Sequence, residues 1–273
     1  MTSPVLDLSD GNKIPQLGFG VFKIPPEDTA AAVNEALRVG YRHIDTAKAY
    51  ENEAGVGQAV RESGIPRDEI FVTTKLWNND HGAANVAPAF EASLEQLGLD
   101  HVDLYLMHWP SVSRGLYVET WEALCKLKET HPVRSVGVSN FTATLFKELL
   151  DAGLPAPPIN QIELHLGLQQ REATVECEAH GCLIEAWSPL GHGRVDDPNV
   201  AAIAGRHGKT PAQVILRWHI QEGRIAIPKS VHPERIAENF AIFDFELSDG
   251  DVAALHSLES GLRYGPDPMT ARF

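Results

Sequence analysis

Polar residues recur at a nearly constant interval along this chain, each closing an apolar run. Asp45 closes His43-Ile44-Asp45, and Lys75 closes Phe71-Val72-Thr73-Thr74-Lys75. His108 closes Val102-Asp103-Leu104-Tyr105-Leu106-Met107-His108, and Ser139-Asn140 closes Ser135-Val136-Gly137-Val138. The steps from Asp45 to Lys75, to His108 and to Ser139 are 30, 33 and 31 residues. Each step holds one strand plus one helix, and largely apolar strands that alternate with helices predict a parallel sheet. In a (β/α)8 barrel the C-terminal strand ends converge on one mouth, where such folds carry their active sites. Residues far apart in sequence would then meet around one pocket.

The rest of the chain keeps the same rhythm. Strands are predicted near 16–20, 42–45, 70–74, 102–107, 134–138, 159–163, 183–187 and 225–228, which makes eight. Helical patterns fall near 27–39, 53–63, 83–97, 116–129, 142–152, 170–180, 211–222 and 233–240. Gly40 is the stop signal of the first helix. Two additional helices, 198–207 and 248–258, are surplus to the repeat, the second opened by Ser248. Val5 to Pro15 reads as an N-terminal β-hairpin turning at Asp10-Gly11-Asn12, suited to plug the barrel bottom. The Gly- and Asp-rich stretch 190–198 reads as a functional loop, and 261–273 as a tail over the barrel mouth. No linker interrupts the pattern, so residues 1–273 are expected to form a single barrel domain.

A formal charge of −14 argues against a nucleic-acid partner, since phosphate neutralisation needs a basic face, and against an anionic membrane surface. No apolar stretch approaches the roughly 20 residues needed to span a bilayer, and the first residues lack the basic and apolar segments of a signal peptide. Cys125, Cys177 and Cys182 show no metal-ligand spacing and read as reduced thiols of a cytoplasmic protein. The sequence leaves the oligomeric state open, a monomer included.

Asp45, Tyr50, Lys75 and His108 make a plausible proton-donating group. A tyrosine has a pKa near 10 and surrenders its proton reluctantly; a nearby buried ammonium favours the phenolate. An aspartate would keep that ammonium charged, and a neutral His108 could donate a hydrogen bond to a substrate oxygen. A phenol so tuned suits a carbonyl that is gaining electrons. The bland alternative is a structural Asp45–Lys75 ion pair with a core histidine. It explains one residue well, and four at successive strand ends poorly.

Other patterns divide. His43, Asp45 and His108 lack the further ligands that a zinc site needs, so no metal is expected. Gly18-Phe19-Gly20 lacks the third glycine and the immediate helix of the dinucleotide fingerprint. After the eighth strand, Lys229, Ser230 and Arg235 supply two charges and a hydroxyl where barrels often bind phosphate; a solvated loop is the alternative. Phe22, Trp77, Trp109 and Trp187 sit at or just past strand ends and predict an aromatic pocket, although each tryptophan alone is more often packing.

At these residues the chain resembles the aldo-keto reductases. The motifs are Gly40-Tyr41-Arg42-His43-Ile44-Asp45-Thr46-Ala47 with Tyr50, Asn52 and Glu53, then Val102 to Pro110, Gly137-Val138-Ser139-Asn140-Phe141, and Ile227-Pro228-Lys229-Ser230. The similarity is nearest to the prokaryotic 2,5-diketo-D-gluconate reductase type, with Trp187 where many members have tyrosine, and a short tail. The resemblance implies a cytoplasmic NADPH-dependent reductase of aldehydes or ketones, binding the cofactor without a Rossmann fold. Tyr50 would be the acid, Lys75 and Asp45 its tuning pair, and His108 the group that orients the carbonyl. Ser139, Asn140 and Gln161 would hold the nicotinamide amide, with Trp187 stacked on the ring. Gly20, Val21 and Asp45 would line the cofactor, and Ser188, Leu190 and Gly191 would contact the pyrophosphate. Lys229, Ser230, Val231 and Arg235 would hold the 2′-phosphate end, and Glu238 and Asn239 the adenine. Phe22, Trp77, His108 and Trp109 would line a pocket for a small carbonyl, dicarbonyl or keto sugar. A nucleotide-sensing subunit and a barrel metallohydrolase are the competing readings.

Overall fold

The structure is a computed structural model describing residues 2–191 and 194–273. A hairpin of β1 (Val5–Asp7) and β2 (Lys13–Pro15) precedes the main sheet. The main sheet has eight parallel strands: β3 (Phe19–Gly20), β4 (His43–Asp45), β5 (Phe71–Leu76), β6 (Val102–Met107), β7 (Val133–Ser139), β8 (Ile159–Glu163), β9 (Leu183–Trp187) and β10 (Ile225–Ala226). They lie in sequence order, and β10 returns to the start of the sheet. Gly18 N–H donates to the Ala226 carbonyl at 2.9 Å, and Ala226 N–H to that of Gln16 at 3.1 Å. Together with the Leu17–Ala226 bridge, these bonds close the barrel.

The first and last strands are shorter than the sequence predicts, for a backbone reason. Gln16 N–H is taken by the Pro4 carbonyl, which leaves the hairpin and not the barrel as its partner. Pro228 has no N–H to continue a ladder, so β10 ends at Ala226, and the Pro228 carbonyl instead accepts from Gly20 N–H at 3.1 Å.

Helices α1 (Pro26–Val39), α2 (Glu53–Glu62), α3 (Ala83–Leu97), α4 (Tyr117–Thr130), α5 (Ala143–Asp151), α6 (Arg171–Ala179), α8 (Pro211–Gln221) and α9 (Pro233–Phe240) follow β3 to β10 in turn. The two surplus helices are α7 (Pro198–His207), inserted before α8, and α10 (Asp249–His256). Helix starts here are written in the sequence. Thr210 and Ser248 make reciprocal capping boxes with Gln213 and Asp251, and Asp197 caps α7 through Asn199 N–H. Gly40 ends α1 at φ 126°, a conformation that a side chain would oppose. No described helix is long and apolar enough to cross a membrane.

Strand alternation sorts the interior. Leu8 and Ile14 of the hairpin pack with Phe71, Leu104, Leu106, Ile159 and Ile225 into an apolar cluster that fills the barrel's lower half. The larger apolar clusters lie between the sheet and the helices. With the bottom sealed and the outside covered, polar inward positions are left to the upper half. One close approach fixes this jacket: a Cβ on Gly57 of α2 would stand 1.6 Å from the Leu97 carbonyl oxygen, at the end of α3. Gly57→Ala must push two packed helices apart. It is expected to lose at least about 1–3 kcal/mol, the usual range for overpacking, read as a lowered urea midpoint with secondary structure retained.

Candidate active site

Register brings the strand ends together. Gly20 lies opposite Asp45, Asp45 opposite Thr73, Ser139 opposite Gln161, and Glu163 opposite Trp187. At the centre, Lys75 is completely buried, and its Nζ donates to Asp45 Oδ1 at 2.7 Å and to the Thr46 carbonyl at 2.8 Å. Its third neighbour is the Tyr50 hydroxyl at 3.4 Å. Tyr50 reaches this point because a single 3-10 turn, Lys48–Tyr50, follows β4 and folds the ring back over the strand end. The His108 ring stands edge-on to the Tyr50 ring, 5.5 Å between centroids. The four residues expected to form a proton-donating group are therefore adjacent.

Their charge states follow from burial and neighbours. Burial works against the Lys75 ammonium, but its neighbours, the Asp45 carboxylate foremost, together hold the amine above its ordinary value. Burial first, and the Lys75 charge second, keep His108 well below 6.5, so its ring is neutral at physiological pH. For Tyr50 the outcome differs from the sequence-based expectation. Burial, the largest effect, raises the phenol above 10.0 despite the ammonium beside it, and the Asp45 charge adds to the rise. Tyr50 is thus a fully protonated donor beside a fixed positive charge.

A ring of aromatics surrounds these groups. Phe22 is about half exposed, and its ring lies 4.9 Å from that of Tyr50. Trp77 meets His108 at 5.2 Å, and Trp109 meets Trp187 at 6.5 Å. The sequence reading placed the tail at the mouth without naming a residue. It is Phe273, stacked on Trp77 at 5.8 Å and edge-on to Trp109 at 5.1 Å, with its carbonyl accepting from Asn78 Nδ2 at 2.9 Å. Glu163, also unanticipated, tethers the tail. Its buried carboxylate accepts from the backbone N–H of Tyr264 at 2.7 Å and of Gly265 at 2.9 Å. Burial opposes its charge, yet His165 and these two amides hold its carboxyl below the ordinary range. Gly265 in turn lies so close to Trp187 that a Cβ there would stand 2.4 Å from the indole.

The expected nicotinamide-binding residues adjoin this ring. Asn140 has φ 64°, a left-handed conformation that asparagine tolerates better than most residues. Its side chain accepts from Trp187 Nε1 at 2.9 Å and donates to the His108 carbonyl at 2.9 Å. Ser139 Oγ donates to the Gln161 carbonyl at 2.7 Å, and Gln161 Nε2 to Asp45 Oδ2 at 2.8 Å. Gly20 and Val21 are buried at the end of β3; a Cβ on Gly20 would stand 3.1 Å from the Ile227 carbonyl oxygen. Ser188 (φ 51°) and Gly191 (φ 48°) bend the chain sharply after β9, with Leu190 packed inward. Of the loop 190–198, His192 and Gly193 lie outside the described residues.

The second basic group follows β10. Lys229, Val231 and Arg235 are exposed, and neither cation has an ion-pair partner among the described residues. Ser230 Oγ accepts from His232 N–H at 3.1 Å. The start of α9 carries no side-chain cap, so its first amides are available to an anion. Asn239 is buried, and the Glu238 carboxylate accepts from Thr210 Oγ1 at 2.7 Å.

Comparison with known proteins decides the family. The Aldo/keto reductase family matches residues 16–260. The chain belongs to that family. It is 52% identical over 272 residues to an aldo-keto reductase of Mycolicibacterium smegmatis, covering 99% of each chain. It is 47% identical to the methylglyoxal reductase DkgA of Yersinia pestis, covering 97% of this chain and 96% of that one. Among solved structures, a variant of Gox0644 in complex with NADPH is 45% identical, covers 100% of both chains and superposes with a TM-score of 0.95. This aldo/keto reductase is accordingly an oxidoreductase.

Removing the central cation tests the electrostatics without reference to turnover. Lys75→Met strands Asp45 in the barrel interior and is expected to lower unfolding free energy by about 3–5 kcal/mol, typical of a broken buried pair. Adding Asp45→Asn should restore part of that loss. Chemical denaturation of the two variants measures both effects.

Proposed function

We propose that this aldo/keto reductase reduces small aldehydes, ketones, dicarbonyls or keto sugars to alcohols with NADPH, acting as one barrel domain in the cytoplasm. The observation that carries the reading is the Tyr50 hydroxyl, 3.4 Å from a Lys75 ammonium that is itself 2.7 Å from Asp45, beside a neutral His108 and within an aromatic pocket. The relative named a methylglyoxal reductase supports the substrate class, and the NADPH-bound structural neighbour supports the cofactor.

The residues present fit that cofactor. Lys229, Arg235 and the uncapped start of α9 offer charge and amides to a phosphate in an otherwise acidic protein. Gly20 and Gly191 leave backbone surface where a side chain would crowd Ile227 and His165. Ser139, Asn140 and Gln161 would hold the nicotinamide amide, with the Trp187 indole against the ring; Ser188, Leu190 and Gly191 would contact the pyrophosphate, and Lys229, Ser230, Val231 and Arg235 the 2′-phosphate. Glu238 and Asn239 would face the adenine. Bound NADPH would supply a hydride to the carbonyl carbon.

The remaining chemistry belongs to the chain. His108, as a neutral ring, would hold the carbonyl oxygen by a hydrogen bond. Tyr50 would donate its proton as charge develops on that oxygen, and the Lys75 ammonium would stabilise the phenolate left behind. Asp45 keeps that ammonium charged and in place. Phe22, Trp77, Trp109 and Phe273 would exclude water from the reacting centre.

Two substitutions test this. Tyr50→Phe retains the ring and removes only the proton. It should bind NADPH almost normally and lose turnover on the order of 10²–10⁴-fold, as general-acid catalysis requires. Steady-state rates over a carbonyl panel, with NADPH titrations on folded protein, measure both; near wild-type turnover would rule out Tyr50 as the acid. Arg235→Ala should weaken NADPH far more than NADH, since Arg can grip a phosphate with two parallel hydrogen bonds. Equal losses for the two cofactors, in measured dissociation constants, would remove Arg235 from 2′-phosphate recognition.

A further inference from the structure

Glu185 has no part in the chemistry above, yet it is completely buried in the middle of β9. Gln161 of β8 stands directly opposite it. Gln161 Nε2 donates to Glu185 Oε2 at 2.9 Å and to Asp45 Oδ2 at 2.8 Å. A carboxamide nitrogen has two hydrogens, so two carboxyl oxygens at these distances use both. The Asp45 carboxylate, which can only accept, settles which end of the amide is which: the NH₂ end faces it. Oε1 is therefore turned away from the carboxyls and has no donor among the described residues.

The price of this arrangement is a second carboxyl in a space with one ammonium. Burial, and then the charge of Asp45, push Glu185 up to about 8, so at neutral pH it carries its proton. A protonated carboxyl still accepts through its carbonyl oxygen, here Oε2. Oε1 makes no hydrogen bond among the described residues; its neighbour His43 Nε2, at 3.6 Å, is engaged by Thr73 Oγ1. A buried acid costs stability unless its bonds are made, and the bond this one makes is to Gln161.

We propose that Glu185 is a positioning residue. With Asp45 it locks the Gln161 carboxamide so that Oε1 is presented to the amide NH₂ of the nicotinamide, which fixes the face of the ring turned toward substrate. The proposal rests on the reading of Gln161 given above. With only Asp45 as acceptor, Gln161 is free to rotate, and a ring held by a loose acceptor can turn about its glycosidic bond.

The test compares Glu185→Leu, Glu185→Gln and Gln161→Leu in two readouts. One is the dissociation constant for NADPH beside that for 2′,5′-ADP, a fragment that lacks the nicotinamide. The other is the face selectivity of deuterium transfer from NADPH labelled on one face of C4 to methylglyoxal. Glu185→Leu should weaken NADPH about threefold to tenfold, the worth of one hydrogen bond, leave 2′,5′-ADP unchanged, and erode face selectivity. Glu185→Gln keeps an acceptor oxygen and should restore both. Should the leucine variant fail to fold, Glu185→Thr, too short to reach Gln161, carries the same comparison. Equal losses for NADPH and 2′,5′-ADP would overturn the proposal, as would a Glu185→Gln variant no better than Glu185→Leu. A wild-type Glu185→Leu beside an impaired Gln161→Leu would overturn the role of Glu185 and leave Gln161 standing. A wild-type Gln161→Leu would overturn the reading of Gln161 and the proposal with it.

Discussion

Everything in the upper half of the barrel is arranged around one buried ammonium. Lys75 has no solvent to stabilise its charge, so the surrounding strands must supply oxygen atoms. They do so from three directions: the Asp45 carboxylate, the Thr46 carbonyl and the Tyr50 hydroxyl. The demand propagates outward. Asp45, committed through Oδ1, uses Oδ2 to hold Gln161, and Gln161 reaches Glu185. In the other direction Tyr50 is braced by Phe22 and His108. Removing the charge would therefore disturb a chain of contacts that runs across β4, β5, β8 and β9.

The interior is layered by chemistry. Hairpin residues and inward aliphatics seal the lower half, a charged and amide layer occupies the middle, and aromatics form the mouth. Above that cluster Lys75 is fully buried. The low-dielectric surroundings that make the ion pair expensive also make each hydrogen bond in it strong. Stability is supplied largely elsewhere, by the clusters between the sheet and its helices.

Much of this was legible in the sequence because barrel strands carry a period of two and the units a period near thirty residues. The polar ends of β4, β5 and β6 announced Asp45, Lys75 and His108, and the hairpin, surplus helices and caps fell where their signals lay. The cross-strand links were not legible. Glu185 sits two residues before Trp187 on the same strand face, a polar inward position in an apolar run, and that was the available signal. Nothing local says that Gln161 will bridge it to Asp45, since that depends on the stagger between strands. Tyr50 shows the same limit: its neighbour could be named, but the balance between burial and charge required the packed environment. Phe273 was hidden for another reason, as an irregular tail has no periodicity from which its path can be read.

The tether between Glu163 and the amides of Tyr264 and Gly265 gives the tail a fixed origin. Gly265 has no room for a side chain beside Trp187, so the origin cannot slide along the chain without a clash. From there the position of the Phe273 ring is set by the number of residues between, with their identities secondary. The stretch 266–272 thus behaves as a ruler. A one-residue insertion or deletion within it would carry the ring off Trp77 and Trp109, resizing the pocket while every barrel strand stays in register. On the proposed reading of this mouth as the substrate pocket, substrate preference would have a route to change by length alone, independent of the residues proposed to carry the chemistry.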